Sequence, residues 1–171
     1  MMERAQAITL HGNPLTLVGK EIAMGSPGPD ATLVDNELNA VKLSDYRGKV
    51  VVISSVPSLD TPVCDMQTRR FNAEATKLGD AVAILTISMD LPFAQSRWCG
   101  AAGVEQVITL SDHRDAAFGE AYGLLIKELR LLGRAVMVLD REGVVRYYQL
   151  LKEVSEEPDY DAALEAVKEL T

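Results

Sequence analysis

Short, nearly continuous apolar runs alternate along this chain with stretches in which apolar residues return every three or four positions. Residues 49–56 (Lys49-Val50-Val51-Val52-Ile53-Ser54-Ser55-Val56) follow Arg47-Gly48 and stop at Pro57. Such a run predicts a strand buried on both faces. Residues 81–87 repeat the pattern, and residues 107–110 form a shorter version. Residues 135–139 and 144–148 flank Asp140-Arg141-Glu142-Gly143, a hairpin turn with glycine at its end. A first hairpin is predicted from residues 7–10 and 15–18 around His11-Gly12-Asn13-Pro14. Two short strands, 31–34 and 41–43, follow a linker at Gly25-Ser26-Pro27-Gly28-Pro29. Helical spacing predicts helices at about 62–78, 92–101, 116–122 and 159–170. In the last, Tyr160, Ala163, Leu164 and Val167 make one apolar face.

Strands alternating with helices predict an α/β fold with a central sheet, and the closing hairpin makes that sheet mixed. The 171 residues suit one domain, 1–171, with residues 1–20 as a hairpin appendage at one end. The net charge of -8 excludes nucleic-acid binding through a general positive field. Much of the acid lies in residues 152–169, which read as a solvated face. No apolar run is long enough to cross a bilayer, and the N-terminal residues lack the apolar core of a signal peptide. The expectation is a cytoplasmic protein in a reducing compartment, where a static disulfide staple is unusual.

The candidate chemistry lies in Pro57-Ser58-Leu59-Asp60-Thr61-Pro62-Val63-Cys64, between the buried strand and the helix that begins near Pro62. Thr61 reads as N-cap and Pro62 as the first helical residue. Cys64 then falls in the first turn, where the helix dipole and free N–H groups favour a thiolate. The ordinary alternative is a small buried hydrophobe with no reactivity. Asp60 and Asp65 oppose a thiolate, and Arg69 and Arg70 lie too far along the helix to be its partners, so a cation from elsewhere is required. The second cysteine, Cys99, ends a short helix beside Gly100 and Gly103, where unwinding costs little. Other sites are weak. His11 and His113 lack the short ligand spacing of a zinc site, and Asp112-His113-Arg114 reads as a loop. No C-x-x-C is present, because Asp65, Met66 and Gln67 follow Cys64. No glycine-rich phosphate loop is present either.

Pro57, Thr61 and Cys64 match the P-x-x-x-T-x-x-C motif of the peroxiredoxins. This run and Asp90-Leu91-Pro92-Phe93-Ala94-Gln95-Ser96-Arg97-Trp98-Cys99-Gly100 together resemble the bacterial thiol peroxidase subfamily. Pro62 stands where thiol peroxidases often carry glycine, a departure that bears on substrate preference rather than chemistry. The resemblance implies a thioredoxin-like fold with an N-terminal β-hairpin extension. It implies an atypical two-cysteine peroxidase acting on hydrogen peroxide and organic hydroperoxides without metal or organic cofactor. Cys64 would be the peroxidatic cysteine and Cys99 the resolving one, joined in an intramolecular disulfide that thioredoxin reduces. The resemblance assigns the missing cation to Arg134, after Gly133 at the start of a strand. Thr61 would hold the sulfur and the peroxide by its hydroxyl, and Pro57 would shield the sulfur from water. The region around Phe93 and Trp98 would take part in a homodimer. Two other readings are a redox sensor, in which the two cysteines switch a partner-binding surface, and an interaction domain with inert thiols.

Overall fold

The computed structural model describes residues 1–171 and contains two sheets. The larger has seven strands. Its middle is β5 (Val50–Ser55), β6 (Val82–Ser88) and β7 (Ile108–Ser111), which run parallel. On one side of β5 lie β10 (Ala135–Leu139) and β11 (Val145–Leu150), joined by the expected hairpin, with β10 antiparallel to β5. Beyond β7 lie β3 (Thr32–Val34) and β4 (Ala40–Lys42), so the spatial order is β11-β10-β5-β6-β7-β3-β4. The sheet is mixed, as the sequence pattern predicts.

Side chains of a strand alternate between faces, and the apolar runs supply both. Val50 and Val52 face α1 (Pro62–Leu78) and α4 (Tyr160–Leu170), packing with Phe71, Val136, Val138, Ala163 and Val167. Trp98 and Ala102 of α2 (Pro92–Ala102) border the same layer. Val51 and Ile53 face the other way, into a core with Leu85, Ile87, Leu110, Met137 and Leu139. That second core is closed by α3 (Ala117–Ala121), whose Phe118 stacks on Tyr122 with ring centroids 4.7 Å apart.

Several boundaries differ from expectation. Leu43, expected to close the second short strand, instead opens a 3-10 turn at Leu43–Tyr46. The N-terminal hairpin, β1 (Glu3–Leu10) and β2 (Asn13–Val18), extends into a four-stranded sheet through β8 (Leu125–Ile126) and β9 (Leu131–Leu132). These two-residue strands carry no legible periodicity. The hairpin is thus built into the body of the fold. Thr9, Gly12 and Ser155 all donate to the Glu153 carboxylate, which fastens the hairpin turn to the loop at 153–155. The two Ser155 bonds lead in holding that carboxyl well below its usual range.

Candidate active site

The site forms at the carboxyl end of β5, beside the parallel β6, where open α/β sheets place their ligand crevices. Hydrophobic burial holds β5 in the centre of the sheet; Pro57 ends the run and α1 begins seven residues after Ser55. The buried face of α1 carries Cys64, Gln67, Thr68 and Phe71, the spacing of one helix face. Pro62 occupies the first turn as expected. Thr61 occupies the N-cap position, yet its hydroxyl makes no cap bond. It donates instead to Ser58 O at 2.9 Å, folding the loop onto itself.

The Cys64 side chain is fully buried against Val56 and Leu59, with Trp98 alongside. Arg134, only 2 % exposed, brings Nη2 to 3.2 Å from Cys64 Sγ. The remaining donors of the guanidinium are fixed by two neighbours. Nε donates to Val154 O at 2.7 Å and Nη1 to Gln67 Oε1 at 2.9 Å. Gln67 is itself oriented by donating from Nε2 to Ser54 Oγ at 2.7 Å. The sequence reading missed Gln67, Ser54 and Val154. Gln67 leaves a trace in sequence, since a polar residue three positions after Cys64 shares its buried helix face; the Val154 carbonyl leaves none.

Other groups find different partners from those anticipated. Asp65 accepts Trp98 Nε1 at 3.0 Å and Arg69 Nε at 3.0 and 3.1 Å. Its charge is therefore engaged on the side of α1 that faces α2. Arg70 pairs with Glu74 and Asp161 and lies over the Tyr160 ring. The N–H groups of Val63 and Cys64 have no acceptor within the protein, as first-turn amides. Asp90 accepts from Ser58 Oγ at 2.7 Å, Leu59 N at 2.9 Å and Ser88 Oγ at 2.7 Å, which ties the loop before α1 to the start of α2.

Pro57, Thr61, Val63 and Arg134 line one pocket of about 490 Å³. Its far wall is apolar and comes from the smaller sheet and its turns, through Leu10, Leu15, Ile126, Leu129 and Leu131, with His11 among the lining residues. Cys99 is not part of it. Cys99 is half-buried near the end of α2, 3.6 Å from Thr109 Oγ1, and Gly103 closes the helix in the left-handed conformation at φ 68°. Burial pushes the Cys99 thiol up from its ordinary value, and the Thr109 contact offsets this only in part. Both cysteines are free thiols. His11 and His113 join no cluster of three or more metal-ligating side chains.

A family model described as Redoxin matches residues 23–164. The chain belongs to the redoxin family. Within it, the chain matches thiol peroxidases over nearly its whole length. The chain is 56% identical over 163 residues to the thiol peroxidase of Bacillus subtilis, covering 95% of this chain and 97% of that protein. It is 57% identical over 157 residues to the thiol peroxidase of Oceanobacillus iheyensis, covering 92% and 95%. Among solved structures, a peroxiredoxin-like protein from Aquifex aeolicus superposes with a TM-score of 0.91 at 41% identity, covering 98% of both chains. A thiol peroxidase from Chromobacterium violaceum superposes at 0.84 with 21% identity over 95% of both, a likeness of fold. The mixed sheet and its flanking helices are thus the thioredoxin-like fold of this redoxin family. No helix of this thiol peroxidase homologue is long and apolar enough to cross a membrane.

Proposed function

We propose that the protein reduces hydrogen peroxide and organic hydroperoxides through Cys64 and Cys99 and is recycled by thioredoxin. The observation that carries this reading is the buried Arg134 guanidinium, which points a donor at Cys64 Sγ beside a pocket shared with Pro57 and Thr61. Arginine stays charged and presents several donors in a fixed fork, which suits a sulfur anion and a peroxide oxygen together. In the first step the Cys64 thiolate attacks the terminal oxygen of ROOH. The S–O bond forms, the O–O bond breaks, and the alkoxide leaves to be protonated to ROH. Two electrons pass from sulfur to the peroxide, and Cys64 becomes a sulfenic acid. In this reading Arg134 and the Val63 and Cys64 amides, which have no acceptor within the protein, are the donors that stabilise the charge on oxygen. The apolar wall suits the organic part of an alkyl hydroperoxide, while hydrogen peroxide needs only the polar end.

In the second step Cys99 sulfur attacks Cys64 sulfur. The disulfide forms, the S–O bond breaks, and hydroxide leaves as water with one proton. An external dithiol then returns two electrons by exchange and is itself oxidised; thioredoxin is the reductant in this reading. Thr61 is a positioning residue through its bond to Ser58 O, and Pro57 closes the sulfur off from water. Residues 1–171 act as one domain, because the hairpin turn and Arg134 share the pocket. Phe93, 66% exposed, and Leu91 beside it supply apolar surface for a homodimer. The cycle uses no metal or organic cofactor, and a reducing cytoplasm suits it.

The test is rapid mixing of the reduced protein with one equivalent of hydroperoxide, following Trp98 fluorescence and free thiols together. A fast fluorescence change with loss of both thiols supports the cycle. Thiols that persist for minutes overturn it.

A further inference from the structure

The residue after Cys64 and the residue before Cys99 are joined by a hydrogen bond. Trp98 Nε1 donates to Asp65 Oδ1 at 3.0 Å. Arg69 completes the contact from the next turn of α1. Its Nε donates to both Asp65 oxygens, its Cζ lies 5.7 Å from the centre of the Trp98 ring, and its Nη1 reaches Ala102 O at 3.3 Å near the end of α2. Successive helical residues point about 100° apart. Trp98 accordingly packs beside Cys64, Val56 and Leu59, while the Cys99 sulfur turns to Thr109 on β7. Here the Cys99 sulfur lies at Thr109 and both thiols are free, so α2 must rearrange before the two sulfurs come to the roughly 2 Å of a disulfide bond. Trp98 has room to leave, because it borders an open pocket of about 440 Å³ with Leu59, Ala94 and Ala101.

We propose that Asp65, Arg69 and Trp98 form a clamp that holds α2 against α1 and sets the rate at which Cys99 reaches oxidised Cys64. This rests on the reading of the two cysteines given above. Asp65, Arg69 and Trp98 are positioning residues: none exchanges atoms with the substrate. In the gated step Cys99 sulfur bonds to Cys64 sulfur, the Cys64 S–O bond breaks, and the hydroxyl leaves as water. Opening the clamp releases the ring and lets the last turn of α2, with Gly100 inside it and Gly103 after it, unwind. It also takes Cys99 out of the burial that disfavours its thiolate. A closed clamp keeps the Cys64 sulfenic acid exposed to a second peroxide for longer. The clamp therefore decides between disulfide formation and over-oxidation to sulfinic acid.

The experiment compares wild type with Trp98→Phe, which keeps a ring and loses the N–H, and with Asp65→Asn, which keeps the shape and loses the charge. Each reduced protein is mixed with hydrogen peroxide, quenched over time, and its sulfenic acid, disulfide and sulfinic acid are counted by mass. Disulfide formation is expected to be about fivefold faster in both variants, relative to sulfenic acid formation in the same sample. The peroxide concentration that over-oxidises half the protein in one turnover should rise by the same factor. A merely structural role would lower the unfolding temperature without speeding the second step. Variants that resolve at the wild-type rate, or more slowly, overturn the clamp while leaving the cysteine assignments standing. A wild type that forms no disulfide overturns both.

Discussion

Arg134 Nη2 stands 3.2 Å from Cys64 Sγ, with both side chains closed off from solvent. No carboxylate lies within ion-pair distance of this guanidinium. Its other donors end on Val154 O and Gln67 Oε1, both neutral. A buried cation among neutral acceptors bears a desolvation cost that only an anion offsets well. The Arg134 charge is thus left without a carboxylate partner, as its proposed role toward the sulfur and the peroxide oxygens requires.

Arg134→Ala is therefore expected to slow the reaction of Cys64 with hydroperoxide about a hundredfold, the scale seen when one preorganised donor to a developing oxyanion is removed. Arg134→Lys should recover only part of that loss, because a single ammonium cannot serve Cys64, Gln67 and Val154 at once. Stopped-flow measurement of the second-order rate constant checks both variants. A loss of less than threefold in Arg134→Ala would take this residue out of the chemistry.

Gln67 supplies the orientation that Arg134 lacks by itself. Gln67→Leu keeps the volume but leaves Arg134 Nη1 and Ser54 Oγ without their partner. Stranding buried groups in this way costs about 1–3 kcal/mol. The expected result is a drop of that size in urea unfolding together with a slower peroxide reaction. Normal stability with normal rate would mean that the guanidinium is held by Val154 O alone.

The strand, turn and helix around Cys64 were legible in sequence because each is a local pattern: an apolar run, a proline, an N-cap followed by a first-turn cysteine. Arg134 came from the resemblance, and its partners did not follow, since Gln67 and Val154 lie 67 and 20 residues from it. Asp65 shows the converse. In sequence it is an acid that opposes a thiolate, whereas in the fold Arg69 and Trp98 engage it on the α2 side. Strands β8 and β9 escaped because two residues cannot display a period of two. They complete the sheet that turns the N-terminal hairpin from an appendage into a wall of the pocket.

The two cysteines make separable predictions. Cys64→Ser should consume no peroxide. Cys99→Ser should consume one equivalent, leave Cys64 as a sulfenic acid, and fail to turn over with thioredoxin. Coupled NADPH oxidation with thioredoxin and its reductase reads both outcomes. Full turnover by Cys99→Ser would show that another thiol resolves Cys64.

Asp112 sits away from this chemistry and gives the fold a pH dependence of its own. Its carboxylate is buried and accepts the N–H groups of Phe118 at 3.0 Å and Gly119 at 2.8 Å, fastening α3 to the end of β7. Burial outweighs these bonds and lifts the group from 3.8 to about 6. The folded state thus holds this proton more tightly than the unfolded chain does. The stabilisation is complete below pH 3.8 and is lost as pH rises through about 6. Proton binding tightened to this extent contributes at most about 3 kcal/mol. Asp112→Asn does not titrate, and all other acids cancel between the two proteins. The stability of wild type relative to Asp112→Asn, measured by urea unfolding, is therefore expected to fall between pH 4 and pH 7. A difference that stays constant, or that grows with pH, would show that the two amide bonds outweigh burial at Asp112.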